Sequence, residues 1–385
     1  MSGKAEDMKI GIISHLCQMK YFWSSLLFGP EQKLSSIEKQ PDYRGSKKEI
    51  LSWLEILFSI PQKYWVQFRA SKNPHSEIFI FKQVEYEGKP QKIFIKKFVV
   101  HEGRGYLEGL NRECNAIDKF SQFNDIYDVC TPKLYAFNEQ ILCMAISYLE
   151  GKSFFNEIFE SPIKVKFGNS RMEEYKRSLF NLGRWLRHIH DSGIMLLESD
   201  RERKIDDILK KDIRGMKLRV EYLNKVRPAD FTSDVCRKII SKSSELREHI
   251  LMRNPSLKVV HGDFSLANIL YEQGRLHVLD FSYSGTGLPE RDLAKLYLEL
   301  RNVESFCYML TPTNEGNLLT SFLSGYGKEI NINSLGVCEE FYILKHTIIN
   351  IYMYARLWGS RRFLNPFLCR LFYHYQKKIL FSLIR

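Results

Sequence analysis

The chain has 385 residues, of which 44% are hydrophobic and 26% charged, and its formal net charge is +12. This length suits two or three domains, and the hydrophobic fraction excludes a wholly disordered or collagen-like chain. No run reaches the roughly 20 apolar residues that a membrane-spanning helix needs. The charged residues Lys4, Glu6, Asp7 and Lys9 precede any apolar run, which is not typical of a secretory signal. We therefore expect a cytoplasmic protein.

The first part of the chain predicts an extension followed by a small β-rich lobe. Residues 1–60 form the extension, which ends in a helix over Lys48–Phe58 because Pro61 follows it. Residues 61–149 form the lobe, since aromatic and β-branched residues are dense there and the first strands are typical of an antiparallel meander. A helix over Leu107–Phe120 interrupts the strands. The predicted strands are Tyr64–Arg69, Glu77–Tyr86, Lys92–Val100, Lys133–Asn138 and Ile141–Leu149.

After Gly151 the pattern changes to long helices. Over Arg171–Ser192, apolar residues recur at intervals of three and four, as on the buried face of a helix. Gly193 stands where a C-cap is expected. Residues 150–385 are therefore assigned to a larger, mainly helical lobe.

Two short apolar runs in this second part of the chain end in polar residues. One run leads into Asp263, with Asn268 five residues further along, and the other ends at Asp280. A hairpin turned at Gln273-Gly274 would bring one potential base and two oxygen ligands for Mg²⁺ together. Phosphoryl transfer uses such a set, because a carboxylate orients the hydroxyl and the metal neutralises charge on the phosphates.

The joined pattern H-G-D-x4-N-I-L and L-D-F, from His261 to Phe281, resembles the catalytic loop and metal strand of the aminoglycoside phosphotransferase and choline kinase family. The resemblance implies the two-lobed α+β fold of protein kinases. It also implies that Asp263 is the catalytic base, that Asn268 and Asp280 bind Mg²⁺, and that His261 anchors the loop. The alternative interpretation is a hairpin with a satisfied histidine and a capping aspartate, which leaves acids near apolar strands without a role.

The same resemblance assigns the nucleotide side of the site. Lys96, at the end of an apolar strand, resembles the lysine that contacts ATP, with Lys97 as the alternative. Glu113 on the following helix is the expected ion-pair partner, unless it is an ordinary surface glutamate. The residues that resemble the hinge, where backbone groups would meet the adenine, are Ser147, Tyr148 and Leu149.

Several other residues are expected to support the loop or differ from those that protein kinases carry at the same positions. Asp292 is expected either to cap the next helix or to brace the catalytic loop, and His190 is expected to be a core residue. Ser265 stands two residues after the base, where protein serine/threonine kinases usually carry lysine, and Ser282 replaces a glycine after the metal strand. The candidate phosphate turn, Ala70–Ser76, has no glycine. These features favour the hydroxyl of a small molecule or glycan over a protein substrate.

Basic charge is concentrated near the C-terminal end. From Phe341 to Arg385 there are eight basic residues and no acidic ones, interspersed with aromatic residues. Apolar residues recur at helical spacing over Phe367–Arg385, which predicts an amphipathic helix. This helix either packs on the second lobe or lies on an anionic membrane at its inner face.

The sequence thus predicts a phosphotransferase that uses Mg²⁺ and ATP, with GTP as the alternative nucleotide. The expected acceptor is a sugar, an amino alcohol or a lipid-linked head group, because the surplus of basic charge argues against polycationic aminoglycosides. The alternatives are a kinase-like nucleotide-binding module without turnover and an aminoglycoside-modifying kinase. No nucleic-acid partner is expected, since no reading motif is present.

Overall fold

A computed structural model describes residues 43–72, 76–84, 92–99, 106–158, 170–192, 198–310, 317–328, 335–358 and 366–384. Gly193, residues 73–75 of the candidate phosphate turn and most of the extension lie outside these ranges. The chain divides into two compact units. The first comprises the described residues up to Ser153 together with Ile269–Tyr283, and the second comprises Phe154–Asn268 and the described residues from Ser284 onward.

The elements are numbered here in chain order. The strands are β1 (Trp65–Lys72), β2 (Ser76–Gln83), β3 (Lys92–Phe98), β4 (Val129–Cys130), β5 (Leu134–Asn138), β6 (Cys143–Ser147), β7 (Lys152–Ser153), β8 (Lys258–Val260), β9 (Ile269–Glu272), β10 (Arg275–Val278) and β11 (Gly285–Gly287). The helices are α1 (Tyr43–Phe58), α2 (Tyr106–Ser121), α3 (Ser170–Asp191), α4 (Glu198–Val226), α5 (Ser233–Arg253), α6 (Glu290–Leu310), α7 (Leu318–Tyr326), α8 (Val337–Trp358) and α9 (Pro366–Leu383).

The first unit is built on a five-stranded antiparallel sheet with the order β1-β2-β3-β6-β5. Side chains alternate across each strand, so Phe79 and Phe81 of β2 share a core with Ile93 and Ile95 of β3 and with Leu54 of α1. The predicted meander is confirmed. The bounds shift by a few residues: Gln62–Tyr64 forms a 3-10 turn, so β1 begins at Trp65 and not at Tyr64.

A second, smaller sheet in this unit has the order β4-β10-β9-β7. Its central hairpin turns at Gln273 and Gly274 as predicted, and both residues have positive φ, 48° and 88°. Two consecutive positive φ values are typical of the type I′ turn, whose twist matches that of paired strands. In this sheet β9 also pairs with β7, and β10 pairs with β4. The hairpin therefore belongs to the first unit, although it follows residue 150 in the sequence.

The second unit is mainly helical, with the short strands β8 and β11 paired in it. The predicted helix over Arg171–Ser192 is confirmed as α3, and its apolar face is buried at Leu179, Leu182, Leu186 and Ile189. α3 packs against α7 with backbones in contact. A Cβ atom at Gly183 would lie 2.2 Å from the carbonyl oxygen of Phe322, so this crossing has room only for glycine.

The helix predicted over Phe367–Arg385 is confirmed as α9, and its apolar face is buried within the second unit. The Tyr373 hydroxyl donates to Asp230 at 2.8 Å, and the Lys377 ammonium contacts the same carboxylate at 2.6 Å. Gln376 donates to Asn302 at 2.7 Å. Of the two alternatives for the apolar face of α9, the structure therefore shows packing within the second unit and not exposure to a membrane. Within the described ranges, no helix has the length and apolar content needed to cross a bilayer.

The α3–α7 crossing generates the first prediction. We expect Gly183→Ala to lower the free energy of unfolding by roughly 2 kcal/mol or more, because the new methyl group must displace the backbone of α7. Gly215→Ala in α4 is a matched control, since its Cβ would meet only the far end of the Arg219 side chain at 3.1 Å. Gly215→Ala should leave the free energy of unfolding unchanged or raise it by about 0.5–1 kcal/mol. Urea unfolding of both variants measures the difference, and equal stabilities would contradict the prediction.

Candidate active site

Lys96 on β3 lies at the centre of a charged cluster in the first unit. Its ammonium nitrogen lies 2.8 Å from both carboxylate oxygens of Glu113 on α2. The same nitrogen lies 3.1 Å from Oδ1 of Asp280 and 2.8 Å from Oγ of Ser282. The Ser282 hydroxyl also lies 2.6 Å from Asp280 and 2.8 Å from Glu113, so it joins the two carboxylates.

The neighbouring lysine has a different partner. The ammonium nitrogen of Lys97 lies 3.1 Å from Oε2 of Glu49 on α1. Because successive side chains of a strand point to opposite faces, only one of the two lysines can reach Glu113. Lys96 is therefore the lysine that pairs with Glu113, as the sequence predicts, and Lys97 pairs with Glu49.

The charges of this cluster depend on one another. Burial on its own lowers the pKa of Lys96, but the negative charges of Asp280 and Glu113 outweigh it and hold the pKa above its usual value. Burial raises the pKa of Glu113, which is 1% exposed, and the contact with Lys96 offsets part of that rise. The Asp280 side chain is 42% exposed, and its φ of 62° is a backbone conformation that non-glycine residues rarely adopt outside turns and functional sites.

The predicted hinge begins at Ser147, the last residue of β6, and continues beyond the strand. The hydroxyl of Ser147 accepts a hydrogen bond from the backbone N–H of Lys133 at 2.8 Å, so this side chain is used within the sheet. Tyr148 and Leu149 come next and are half-buried. Gly151 has a φ of 120°, and a Cβ atom there would lie 2.9 Å from the carbonyl oxygen of Tyr271, so only glycine fits.

In the second unit, Asp292 holds the start of the loop over residues 261–268. The side chain is fully buried near the first turn of α6. Its two oxygens accept hydrogen bonds from the backbone N–H groups of His261 and Gly262, both at 2.7 Å, and Nε2 of His190 lies 3.3 Å away. Burial on its own raises the pKa of Asp292, but the contacts with His190 and His261 outweigh it and lower the pKa. These are bracing contacts between α6 and the loop.

The two histidines are buried and hydrogen-bonded. Nδ1 of His261 accepts from the backbone N–H of Asp263 at 3.3 Å, and the carbonyl oxygen of His261 accepts from Ser284 at 3.0 Å. His190 lies in the core of the unit, as the helical pattern predicts, but Nδ1 also lies 2.9 Å from the Tyr326 hydroxyl. His261 thus anchors the loop as expected, whereas the contact between His190 and Tyr326 joins residues 136 positions apart and has no local sequence signal.

Asp263 and Asn268 lie in direct contact. The amide nitrogen of Asn268 donates to the carbonyl oxygen and to Oδ2 of Asp263, both at 3.0 Å. The buried Ser265 contributes its carbonyl oxygen, which accepts from the backbone N–H of Asn268 at 3.0 Å. Because the amide nitrogen binds Asp263, the amide oxygen is the atom of this side chain that suits a cation.

Two residues of the site were missed in the sequence. The ammonium group of Lys295 forms an ion pair with Oδ1 of Asp263. Oε2 of Glu299 accepts from the backbone N–H of Leu266 at 2.7 Å. Both lie on α6 at positions three and seven after Asp292, which is the spacing of one helix face. That spacing is the signal that could have identified them.

Oxygen donors suited to Mg²⁺ occur in both units. Asp280 provides a partly exposed carboxylate in the first, and Asn268 provides an amide oxygen in the second. Mg²⁺ prefers a few such oxygens, with phosphates and waters completing its octahedron. The donor chemistry of these residues fits the predicted ion.

The described residues include a braced loop that bears an aspartate. They also include a buried pair between Lys96 on β3 and Glu113 on α2, as the resemblance to kinase-like phosphotransferases implies. Residues 98–330 match the family described as the phosphotransferase enzyme family, and the chain belongs to it. Its similarity to the aminoglycoside phosphotransferase and choline kinase family is thereby confirmed. No curated protein sequence matches the chain.

Solved structures show the same fold. Choline kinase from Cryptosporidium parvum Iowa II is 14% identical, with a TM-score of 0.53, and the match covers 88% of this chain and 96% of that one. The amicoumacin kinase hAmiN, solved with AMP-PNP, Ca²⁺ and amicoumacin, is also 14% identical, with a TM-score of 0.50 and coverage of 89% and 96%. The predicted α+β, kinase-like fold class is confirmed.

The Glu299 carboxyl group generates a prediction about pH. Burial raises its pKa from 4.5 to about 7, although Lys295 and the bond from Leu266 act in the opposite direction. Between these values the unfolded chain is ionised at this group while the folded chain keeps the proton, so its contribution to the free energy of unfolding falls as the pH rises. We expect Glu299→Gln to flatten this part of the pH dependence. Urea unfolding of both proteins between pH 4.5 and 7.5 measures it, and parallel pH profiles would contradict the assignment.

Proposed function

We propose that the protein is an ATP- and Mg²⁺-dependent phosphotransferase that transfers the γ-phosphoryl group to a hydroxyl of a small molecule or glycan. The observation that carries this proposal is the environment of Asp263. Lys295 of α6 and Asn268 of the loop bind its two carboxylate oxygens, and Asp292 braces the loop itself. A carboxylate fixed in this way is suited to orient an acceptor hydroxyl. Membership of the phosphotransferase enzyme family supports the same reaction class.

In the proposed reaction, Asp263 accepts the hydroxyl proton of the acceptor. The hydroxyl oxygen forms a bond to the γ-phosphorus, the bond from that phosphorus to the bridging oxygen breaks, and ADP leaves. Asn268 keeps Asp263 in place through its amide nitrogen. His261, Ser265 and Asp292 act as supporting residues that fix the backbone of the loop.

The nucleotide is proposed to bind through the first unit. Lys96, held by Glu113, would contact the phosphates, because an ammonium group held by buried carboxylates is a permanent cation. Asn268 and Asp280 would hold Mg²⁺, which when bound supplies neutralisation of phosphate charge. The adenine would meet the hinge over Ser147–Leu149. ATP is the proposed nucleotide, and GTP is the alternative.

The acceptor class is inferred from charge. A net charge of +12 is unfavourable for polycationic aminoglycosides, so a sugar, an amino alcohol or a lipid-linked head group is favoured. The similar proteins named above include a choline kinase, which is consistent with a small hydroxyl acceptor. A nucleotide-binding module without turnover is the competing function, and it would not need a hydrogen-bonded aspartate in the loop.

The proposal predicts different consequences for the two aspartates. Asp263→Asn should lower kcat by roughly two to four orders of magnitude, the usual contribution of a general base, and leave the affinity for Mg-ATP nearly unchanged. Asp280→Ala should weaken Mg-ATP binding as well as the rate. Calorimetry and transfer of labelled phosphate from ATP to a panel of sugars, amino alcohols and glycolipid head groups measure both.

Asp234→Asn is the control, because this side chain is exposed in the first turn of α5. Its binding and rate should match those of the unmodified protein. Wild-type turnover by Asp263→Asn would disprove the role of Asp263. If the unmodified protein did not bind Mg-ATP, the kinase function itself would be wrong.

A peripheral contact with an anionic membrane remains a prediction for α9. Arg370, His374 and Lys378 are exposed at intervals of four, on a face separate from the buried residues. Each cation near an anionic bilayer contributes about 1 kcal/mol. We expect co-sedimentation with phosphatidylserine vesicles that weakens with salt and with Arg370→Glu plus Lys378→Glu. Lys377 is unsuitable for this test because it pairs with Asp230. Full recovery in the supernatant would contradict the contact.

A further inference from the structure

The ion pair between Lys295 and Asp263 is the starting observation. Lys295 lies on α6, one helical turn after Asp292, and its ammonium group contacts Oδ1 of Asp263. The two side chains are only 23% and 33% exposed, so they are partly shielded from water. An ion pair in such a position is stronger than one on an open surface.

The other carboxylate oxygen of Asp263 is bound from within the loop. The amide nitrogen of Asn268 donates to Oδ2, and the same nitrogen donates to the Asp263 carbonyl oxygen. The carboxylate is therefore held at both oxygens by two different elements, α6 and the loop. It cannot rotate without breaking one of these contacts, and each oxygen keeps a lone pair for the acceptor proton.

The histidine of the loop, His261, does not hold Oδ1, because its Nδ1 accepts from the backbone N–H of Asp263. Residues 261–268 contain neither lysine nor arginine. Ser265, two residues after Asp263, is buried, and its carbonyl oxygen is bonded to the backbone N–H of Asn268. The positive charge that contacts the Asp263 side chain comes from another element, α6.

The face of α6 that carries Lys295 also fixes the loop at two other points. Asp292 binds the backbone of His261 and Gly262 before the aspartate, and Glu299 binds the backbone of Leu266 after it. Lys295 lies between these two carboxylates along the helix and is the residue of this face that contacts the Asp263 side chain. The backbone and the side chain at position 263 are thus set by the same helix.

We propose that Lys295 is a positioning residue for the phosphoryl transfer, which fixes the orientation of the Asp263 carboxylate. This inference rests on the proposed function. A displacement of about 1 Å at a reacting group can cost two orders of magnitude in rate. Because Lys295 acts through Asp263, its loss should lower kcat and leave nucleotide binding unchanged.

The kinetic test uses hydrolysis of Mg-ATP with water as the acceptor, so that the natural acceptor is not needed. Lys295→Met should lower kcat by roughly 10- to 100-fold with little change in the KM for Mg-ATP. Lys295→Arg should recover most of the rate, because it keeps the charge. Lys210→Met is the matched control, since Lys210 pairs with Asp206 on the exposed surface of α4. Equal kcat values for Lys295→Met and Lys210→Met would overturn the proposal.

A double-mutant cycle distinguishes a positioning role from a merely structural one. If Lys295 acts through Asp263, then Lys295→Met should cause no further loss of kcat in the Asp263→Asn background. A loss of the same factor in both backgrounds would overturn the proposal. Lys295→Gln provides the same test with a polar side chain if the methionine variant does not fold.

A second cycle keeps this inference separate from the proposed function. The free energies of unfolding of the unmodified protein, the two single variants and the double variant should be non-additive, because the two side chains contact each other. Additive values would overturn the positioning contact. An absence of wild-type hydrolysis and transfer would disprove the proposed function alone, and the unfolding cycle would then still decide whether Lys295 holds Asp263.

Discussion

A buried carboxylate, that of Asp292, is the group on which the geometry of the loop over residues 261–268 depends. A charge without exposure to water is stable only when hydrogen-bond donors surround it. Here the donors are two consecutive backbone N–H groups of the loop and a histidine of α3. The requirement to satisfy one charge therefore fixes the loop against two helices. It also explains why Gly262, with a φ of 82°, is needed for both N–H groups to reach the same carboxylate.

In the first unit the buried charge is positive, and groups that accept hydrogen bonds compensate it. The Lys96 ammonium is shielded from water and is compensated by Glu113, Asp280 and the Ser282 hydroxyl. Removing one partner of such a cluster would leave a buried charge uncompensated, which is far more costly than losing a surface ion pair. The groups proposed to act on phosphate are thus held by electrostatics as well as by the strands and helices that carry them.

Much of this arrangement could be predicted from the sequence, because it depends on local pattern. Period-two alternation predicts the strands, and the Gln273-Gly274 turn predicts the hairpin. The H-G-D-x4-N pattern predicts which residues share the loop. The sequence favours Lys96 over Lys97 because Lys96 directly follows the apolar run of β3. Alternation alone separates the two faces of β3 without telling which one faces Glu113. Lys295 and Glu299 were missed because their partners are 32 and 33 residues away in the chain.

The proposed transfer of the γ-phosphoryl group of ATP to a hydroxyl can be followed by ³¹P NMR of the reaction mixture. The unmodified protein would be incubated with Mg-ATP and a panel of sugars, amino alcohols and glycolipid head groups. We expect ADP and a new phosphate monoester to appear in equal amounts with at least one acceptor. ATP that remains unchanged with every acceptor, or ADP that forms only with inorganic phosphate, would contradict it.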